Sequence, residues 1–309
     1  MSINVYSLGA AEEVTGSKHI LDVDGYLYLF DCGAFQGKRA EADKKNRDFN
    51  VPADKLTAVV LTHGHYDHCG LLPLLGIHGF TGNIYATPAS RDIANLVLMD
   101  SARIQARDAE YLQKQAIKKH EKFDWKPLFT EEDAVQTINQ FVTVSYHRPV
   151  WIGPNVQLEF YDAGHILGSA ILEIVVREGM QESKLVFSGD LGQPHQPILR
   201  DPELMTGADF LVAESTYGDR IHCDYDKETA LLEVIRDTMD RGGNVIIPSF
   251  AVGRTQTLLY YFYNLWKEGR LDDDIPIIID SPLAIQATRV FLKNYEDFDE
   301  ETIAFFGAE

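Results

Sequence analysis

Cysteine is scarce in this chain, and basic charge is well below acidic. The three cysteines, Cys32, Cys69 and Cys223, are odd in number and widely spaced, with no CxxC pair. That argues against a disulfide framework or a cysteine-rich zinc ribbon, and a reducing, cytoplasmic setting is expected. No apolar run approaches the ~20 residues of a membrane-spanning helix. The opening Met1-Ser2-Ile3-Asn4-Val5 lacks the basic start and apolar stretch of a signal peptide. Lys and Arg number 28 against 47 Asp and Glu, a formal −19. Broad, sequence-independent nucleic-acid binding rests on Lys and Arg neutralising phosphates, so that balance speaks against it. It leaves room for a phosphate substrate at a metal centre, where bound cations dominate the local charge. Internal repeats and low-complexity linkers are also lacking. At 309 residues, the chain is long enough for one large domain plus part or all of a second.

What the chain does have is Leu61-Thr62-His63-Gly64-His65-Tyr66-Asp67-His68-Cys69-Gly70. The apolar run Leu56–Leu61 reads as a buried strand, and the polar cluster begins where it stops. Only ten histidines occur in the chain, yet three of them and Asp67 share a six-residue window, which chance clustering in a polar loop explains poorly. His63 and His65, two apart, point the same way in an extended backbone. Asp67 and His68 are adjacent and diverge, reaching toward a second ion. Gly64 and Gly70 let the backbone bend around the cluster.

Asn4–Leu8, His19–Val23 and Tyr26–Phe30 read as strands, the last two joined at Asp24-Gly25, a hairpin signal. The third ends in Asp31-Cys32-Gly33. Asp31 suits a carboxylate that accepts a hydrogen bond from a ligating histidine, with a surface turn aspartate the equal alternative. Lys38–Asn50 reads as a charged loop, Leu71–Leu75 as helix and Asn83–Ala86 as strand. Pro88 opens a long helix in which Lys114, Lys118 and Lys122 recur every four residues, giving one basic face. That face reads first as solvated, with a phosphate-backbone contact as the alternative. Val156–Tyr161 is a strand followed by Asp162-Ala163-Gly164-His165. Ala170–Val176 and Lys184–Phe187 are strands, the latter ending in Ser188-Gly189-Asp190. Four strand ends built alike imply a shared rim on one edge of a sheet sandwich.

From Asp209 the pattern changes. Phe210–Ala213, Asn244–Ile247 and Ile275–Ile279 read as strands, alternating with helices at Lys227–Arg241, Gly253–Lys267 and Leu283–Lys293. That order belongs to α/β folds with parallel strands. Residues 209–309 carry 9 basic and 20 acidic side chains, a local −11.

The series His63-x-His65-x-Asp67-His68, with Asp31 before it and His165 and Asp190 after it, resembles the motifs of the metallo-β-lactamase superfamily. Glu214-Ser215-Thr216-Tyr217-Gly218-Asp219-Arg220 resembles the first signature of its β-CASP branch of nucleases. Pro248-Ser249-Phe250-Ala251-Val252-Gly253-Arg254 and Asp280-Ser281-Pro282-Leu283-Ala284 are similar to further segments of that branch. Met99-Asp100-Ser101-Ala102-Arg103-Ile104-Gln105 and Asp108-Ala109-Glu110-Tyr111-Leu112 are similar to its RNA endonucleases. The resemblance implies an αββα sandwich over residues 1–208 and the start of an inserted α/β β-CASP domain over 209–309. It implies two zinc ions, one held by His63, His65 and His165 and the other by Asp67 and His68, with Asp190 bridging both. In the family, later histidines complete the second site and serve the leaving group. The chain reaches Glu309 before any segment that matches them, so it reads as a fragment whose second zinc site is incomplete. His195 and His222 do not sit in the context of those histidines.

The chemistry expected from these ligands is hydrolysis of RNA by a metal-bridging hydroxide. Two ions roughly 3.5–4 Å apart acidify a shared water and stabilise charge on phosphate oxygens. Asp67 has a proton-accepting role in that scheme, and Glu214 orients the later histidine. Glu214 as an ordinary loop acid is the alternative. Arg254, near a helix start, is a phosphate contact or a structural ion pair. Cys32 and Cys69 read as small packing residues. Two competing functions remain: another hydrolase on this scaffold (a DNA nuclease, or a thioester or lactam hydrolase) and a non-catalytic RNA-processing scaffold subunit. RNA is the expected partner, no membrane is, and a homo-oligomer stays open.

Overall fold

The structure, a computed structural model, describes residues 2–221 and 225–306. Two sheets face each other. The first contains β1 (Ile3–Gly9), β2 (Lys18–Val23), β3 (Tyr26–Phe30), β4 (Leu56–Val60), β5 (Ile84–Ala86) and β6 (Phe141–Thr143), neighbours in space as in sequence. Its first three strands are antiparallel and the rest parallel. The β2–β3 hairpin turns on Asp24 and Gly25, with φ of 50° and 89°. Two successive left-handed residues match the right-handed twist of the strands they join. The second sheet holds β7 (Val150–Gly153), β8 (Val156–Asp162), β9 (Ala170–Glu178) and β10 (Gln181–Phe187), all antiparallel, with β11 (Phe210–Val212) parallel to β10.

The period of two along each strand sorts side chains into two cores. From β3 and β4, Tyr28, Phe30, Ala58 and Val60 enter the core between the sheets, meeting Leu158, Phe160, Leu172, Ile174 and Phe187. Their alternates Leu29, Val59 and Leu61 face the other way, onto helices. The helices of the sandwich are α1 (Arg39–Arg47), α2 (Tyr66–Cys69), α3 (Leu72–Ile77), α4 (Pro88–Lys119) and α5 (Glu131–Asn139), of which α1 adds no side chain to this core. Leu72 and Leu75 of α3, Ala94 and Leu98 of α4, and Ala134 and Ile138 of α5 form this outer core. Burial on both faces explains why β4 reads as one unbroken apolar run. In β8, by contrast, Val156, Leu158 and Phe160 are buried while Gln157, Glu159 and Tyr161 are half-exposed.

After β11 come α6 (Lys227–Asp240), α7 (Arg254–Lys267), α8 (Pro282–Lys293) and α9 (Glu300–Phe306). Leu232, Ile235, Leu265 and Leu271 make a small core of their own. A separate cluster ties this part to the sandwich: Val252, Ala287 and Phe291 pack with Ala89 and Ile93 of α4 and with Ile166 and Leu167 beside His165.

Three expectations change. Lys38–Asn50 is not a loop throughout, since Arg39–Arg47 is helical. Its low apolar content hid it, but Asn46 is buried and bonds both the amide and the carbonyl of Phe35, holding the helix to the body. Asn244–Ile247 and Ile275–Ile279 are not strands. Their composition suits a sheet, but among the described residues no ladder reaches them, and a strand exists only through its neighbour. The long helix closes at Lys119 with His120 left-handed, so Lys122 lies beyond the helix that carries Lys114 and Lys118.

Candidate metal centre

Asp31, where β3 ends, anchors the site. Its φ is 58°, a left-handed conformation that non-glycine residues seldom adopt and that Asp tolerates better than most. The conformation is held from all sides. The Asp31 amide donates to the Val60 carbonyl (2.9 Å). The fully buried carboxylate accepts from the Thr62 amide (2.8 Å), the Thr62 hydroxyl (3.0 Å), the Ser17 hydroxyl (3.1 Å) and His68 Nδ1 (2.7 Å). A buried charge needs such a set of donors. The one Thr62 hydroxyl proton goes to Asp31, so Thr62 Oγ1 accepts from His63 Nδ1 (3.0 Å). This hydrogen-bond chain puts a proton on Nδ1 of both His63 and His68 and leaves Nε2 of His63 as a lone pair.

Ring nitrogens of three histidines converge. His63 Nε2 lies 3.0 Å from His65 Nδ1, which lies 3.2 Å from His165 Nε2. Asp190 Oδ2 is 3.8 Å from His63 Nε2 and 3.6 Å from His165 Nε2, and one atom from each of the four side chains fits within a 4.8 Å cluster. Ligands at the Zn–N distance of 2.0–2.1 Å in a tetrahedron stand about 3.3 Å apart. The three imidazoles have nearly that spacing, so the donor set suits a divalent metal. Asp67 and His68 stand outside this cluster of four. His68 Nε2 instead faces the other Asp190 oxygen, Oδ1, at 3.3 Å. Asp190 therefore turns one oxygen to the triad and one to His68.

Electrostatics divide the histidines. Burial, reinforced by the neighbouring imidazoles, holds His63 well below its ordinary value and His65 at about 3. His165 is lowered too, chiefly by burial. All three are neutral at pH 7, as metal binding requires. For His68 burial opposes the charge, but Asp31 and Asp190 outweigh it and hold the imidazolium well above the usual range. Burial works against the charge of Asp190, but the His68 hydrogen bond and the surrounding imidazoles together outweigh it and hold the carboxyl at about 2. Burial raises Asp67. A cation at the His68 side must first displace that proton.

Backbone contacts fix the loops against one another. Ser169 Oγ accepts from the amides of His165 and Ile166 (3.0 and 3.2 Å), tightening the His165 turn. Gly192, just after Asp190, lies so close to that turn that a Cβ would sit 1.7 Å from the Gly164 carbonyl. Gly33 stands likewise against the Asp67 carbonyl, 1.5 Å from a Cβ placed there. Glu214 accepts from the Leu191 amide (3.0 Å), while its own amide donates to Ser188 Oγ (3.0 Å), so its carboxylate holds the Asp190 loop.

His63, His65, His165 and Asp190 are thus brought together, with Asp31, Asp67, His68 and Glu214 around them. Arg254 opens α7 and is exposed. His195 is exposed beside Asp201, and His222 lies outside the described residues. Cys32 and Cys69 are fully buried, and Cys69 donates to the Gly64 carbonyl. Sequence reasoning missed Thr62, whose only signal was its place between a strand and His63. It also missed Ser17, Ser169 and Lys18, a buried lysine whose ammonium bonds the Gly16 and Gly33 carbonyls at 2.9 and 2.8 Å.

The metallo-beta-lactamase superfamily profile matches residues 19–238, and the Beta-Casp domain profile matches 255–308. Ribonuclease TTHA0252 of Thermus thermophilus is 36% identical over 306 residues, covering 98% of this chain and 64% of its own length. Transcription termination factor FttA of Methanothermobacter thermautotrophicus is 32% identical over 287 residues, covering 89% and 41%. The chain therefore spans less than two thirds of either relative. A solved protein of unknown function from Enterococcus faecalis V583 shares the fold at TM-score 0.51 and 13% identity, over 94% of this chain and 68% of that one. Histidines and two aspartates on four strand ends, in this order and this geometry, together with the profile matches, place the chain in the metallo-beta-lactamase superfamily, with a Beta-Casp segment after its sandwich.

Proposed function

We propose that the protein is a zinc-dependent RNA endonuclease that hydrolyses phosphodiester bonds at the His63–His65–His165–Asp190 centre. The observation that carries this reading is three neutral imidazoles, each turning a ring nitrogen toward one oxygen of Asp190 at metal-ligand spacing, while the other oxygen faces His68. His63, His65 and His165 would hold one zinc. Asp67 and His68 would hold a second, with Asp190 shared between them. Bound zinc supplies positive charge for phosphate oxygens and a water acidic enough to attack at neutral pH.

The chain's own residues do the rest. Asp31 and Thr62 hold the His63 and His68 rings with Nε2 toward the metal side. Asp67, its carboxyl raised by burial, is suited to take the proton of the attacking water. Glu214 keeps the Asp190 loop in place and lies close enough to His165 to favour its charge. Arg254 at the start of α7 is the phosphate-contact candidate. RNA is chosen as substrate because the relatives include a named ribonuclease and the Beta-Casp segment follows the sandwich. The reading divides the chain into a sandwich of residues 1–208 and a partial β-CASP domain of 209–309.

The test is cleavage of a labelled single-stranded RNA by the purified protein, lost with EDTA and restored by zinc. Matched DNA and a chromogenic lactam are expected to stay intact, and cleavage of either in preference to RNA would replace the proposed substrate. Metal content decides against the scaffold alternative. At least one zinc per chain, lost in His63→Ala, supports the reading, whereas less than one zinc, unchanged in His63→Ala, overturns it.

A further inference from the structure

Positive charge is segregated in this acidic molecule. Residues 38–47 and 103–126 together hold 12 of the 28 basic side chains but 6 of the 47 acidic ones, leaving 16 and 41, a formal −25, for the rest. The fold brings the two segments together. Arg39 of α1 pairs with Asp108 of α4 at 2.8 Å, and Asp43 accepts from the Trp125 indole at 3.0 Å. Arg47 donates to the Lys126 carbonyl at 2.7 Å and covers the Trp125 ring. Along α4, Arg103, Arg107, Lys114 and Lys118 fall within an arc of about 60°, and the 15 residues they span rise about 22 Å. Glu110 lies on that stripe, Asp100 lies at its near end, and Arg103 there is paired with Glu131 of α5 at 2.9 Å. Exposed Tyr111 borders it.

The helix that carries the stripe starts beside the metal centre. The α4 N-terminus is fastened to the His165 loop by Thr87 and Ser90, whose hydroxyls both donate to the Gly168 carbonyl (2.6 and 2.7 Å). Ser101 bonds the hydroxyl of Tyr66, next to Asp67. Arg103 and Arg107 then line a crevice of about 150 Å³ whose far wall is Pro282, Leu283 and Gln286 at the N-terminus of α8. A helix N-terminus adds partial positive charge there.

We propose that the outer half of α4, from Arg103 to Lys118, is a docking strip for the sugar–phosphate backbone of single-stranded RNA flanking the bond to be cut, with α1 widening the positive field. This rests on the RNA reading above. A linear row of cations fits a polyanion with regularly spaced charges, and Tyr111 offers a ring on which a base stacks. Because the remaining surface repels phosphate, the strip also sets the direction from which RNA approaches. An acidic protein segment would use the charges but would leave the Tyr111 ring and the link to the metal centre without a role.

The test uses the full chain stripped of divalent metal with EDTA, so that binding is read without cleavage. The probe is a fluorescent single-stranded RNA of 30 nucleotides, titrated over a salt series. The R107E/K114E/K118E variant is expected to lose tenfold or more in affinity, and its log–log salt slope should shrink by about 2 for three lost phosphate contacts. R220E/K227E/R241E, the same charge change elsewhere, is expected to bind nearly as the parent does. Unchanged affinity and slope in the first variant would overturn the strip. So would equal loss in the second, or tighter binding of a polyglutamate peptide than of RNA. If the parent binds RNA through the strip but does not cleave it with zinc, hydrolysis fails and the strip stands. If both cleave alike at low RNA concentration, the strip fails and hydrolysis stands.

Discussion

β4 and the segment Asn244–Ile247 have similar apolar character but different fates. Ala58, Val59 and Val60 are buried, with a strand on each side. Ile246 is 87% exposed and belongs to no ladder. The same contrast holds between the two parts of the chain. The sandwich has two large cores sharing one sheet, whereas the part after β11 has a small helical core and several exposed apolar side chains, among them Phe250 and Ile278. Apolar sequence supplies the drive to be buried, but a strand needs a partner, often from far along the chain, and among the described residues the sandwich provides it.

The largest expected effect probes that contrast directly. Phe160→Ala, between the sheets, should destabilise the protein by about 3–5 kcal/mol in urea unfolding. An equal loss from Phe250→Ala would show that the second part is as tightly packed as the first. Next comes the anchor of the site. Asp31→Asn removes the charge that four donors surround and that orients two histidines. Metal affinity should fall about 10–100-fold by competition with a chromogenic chelator. A variant binding as tightly as the parent would mean that the strand end sets those rings without Asp31.

A third effect follows from protons. In the metal-free chain His65 titrates at about 3, so below 6.5 the unfolded chain takes up a proton that the folded chain refuses. Stability present above pH 6.5 is then lost as pH falls, approaching about 1.4 kcal/mol per pH unit for this group alone. His63 and His165 act with the same sign. His68, with its raised value, acts oppositely. Its contribution is whole below 6.5 and fades as pH rises through the folded value. Urea midpoints of EDTA-treated protein should therefore drop from about pH 6 to about pH 4.5, and a flat profile would place the triad in solvent. The smallest effect is the counterpart of the first. Phe250→Ala, at an 80% exposed position, should change stability by no more than about 0.5 kcal/mol.

The sequence disclosed the metal centre better than it disclosed the second part, for a local reason. His63, His65, Asp67 and His68 share one turn, and the strand ends at Asp31, His165 and Asp190 each repeat the same run of apolar and then small residues. Those signals survive without knowledge of the fold. Thr62 did not stand out, because a threonine after a strand has many ordinary uses and its relay between His63 and Asp31 appears only when β3 and β4 lie side by side. The α1 helix was hidden because its attachment runs through Asn46, Arg39 and Arg47 rather than through an apolar stripe. The strands expected at 244–247 and 275–279 failed for the converse reason, since their composition was right and their neighbours were not there.

The glycine contacts that lock the ligand loops have a consequence for what those positions tolerate. With Gly192 pressed on the Gly164 carbonyl and Gly33 on the Asp67 carbonyl, the four strand ends close like the jaws of a fixed gauge. A single methyl group at either glycine would have to prise backbone from backbone, carrying the turn of His165 or Asp67 out of line with it.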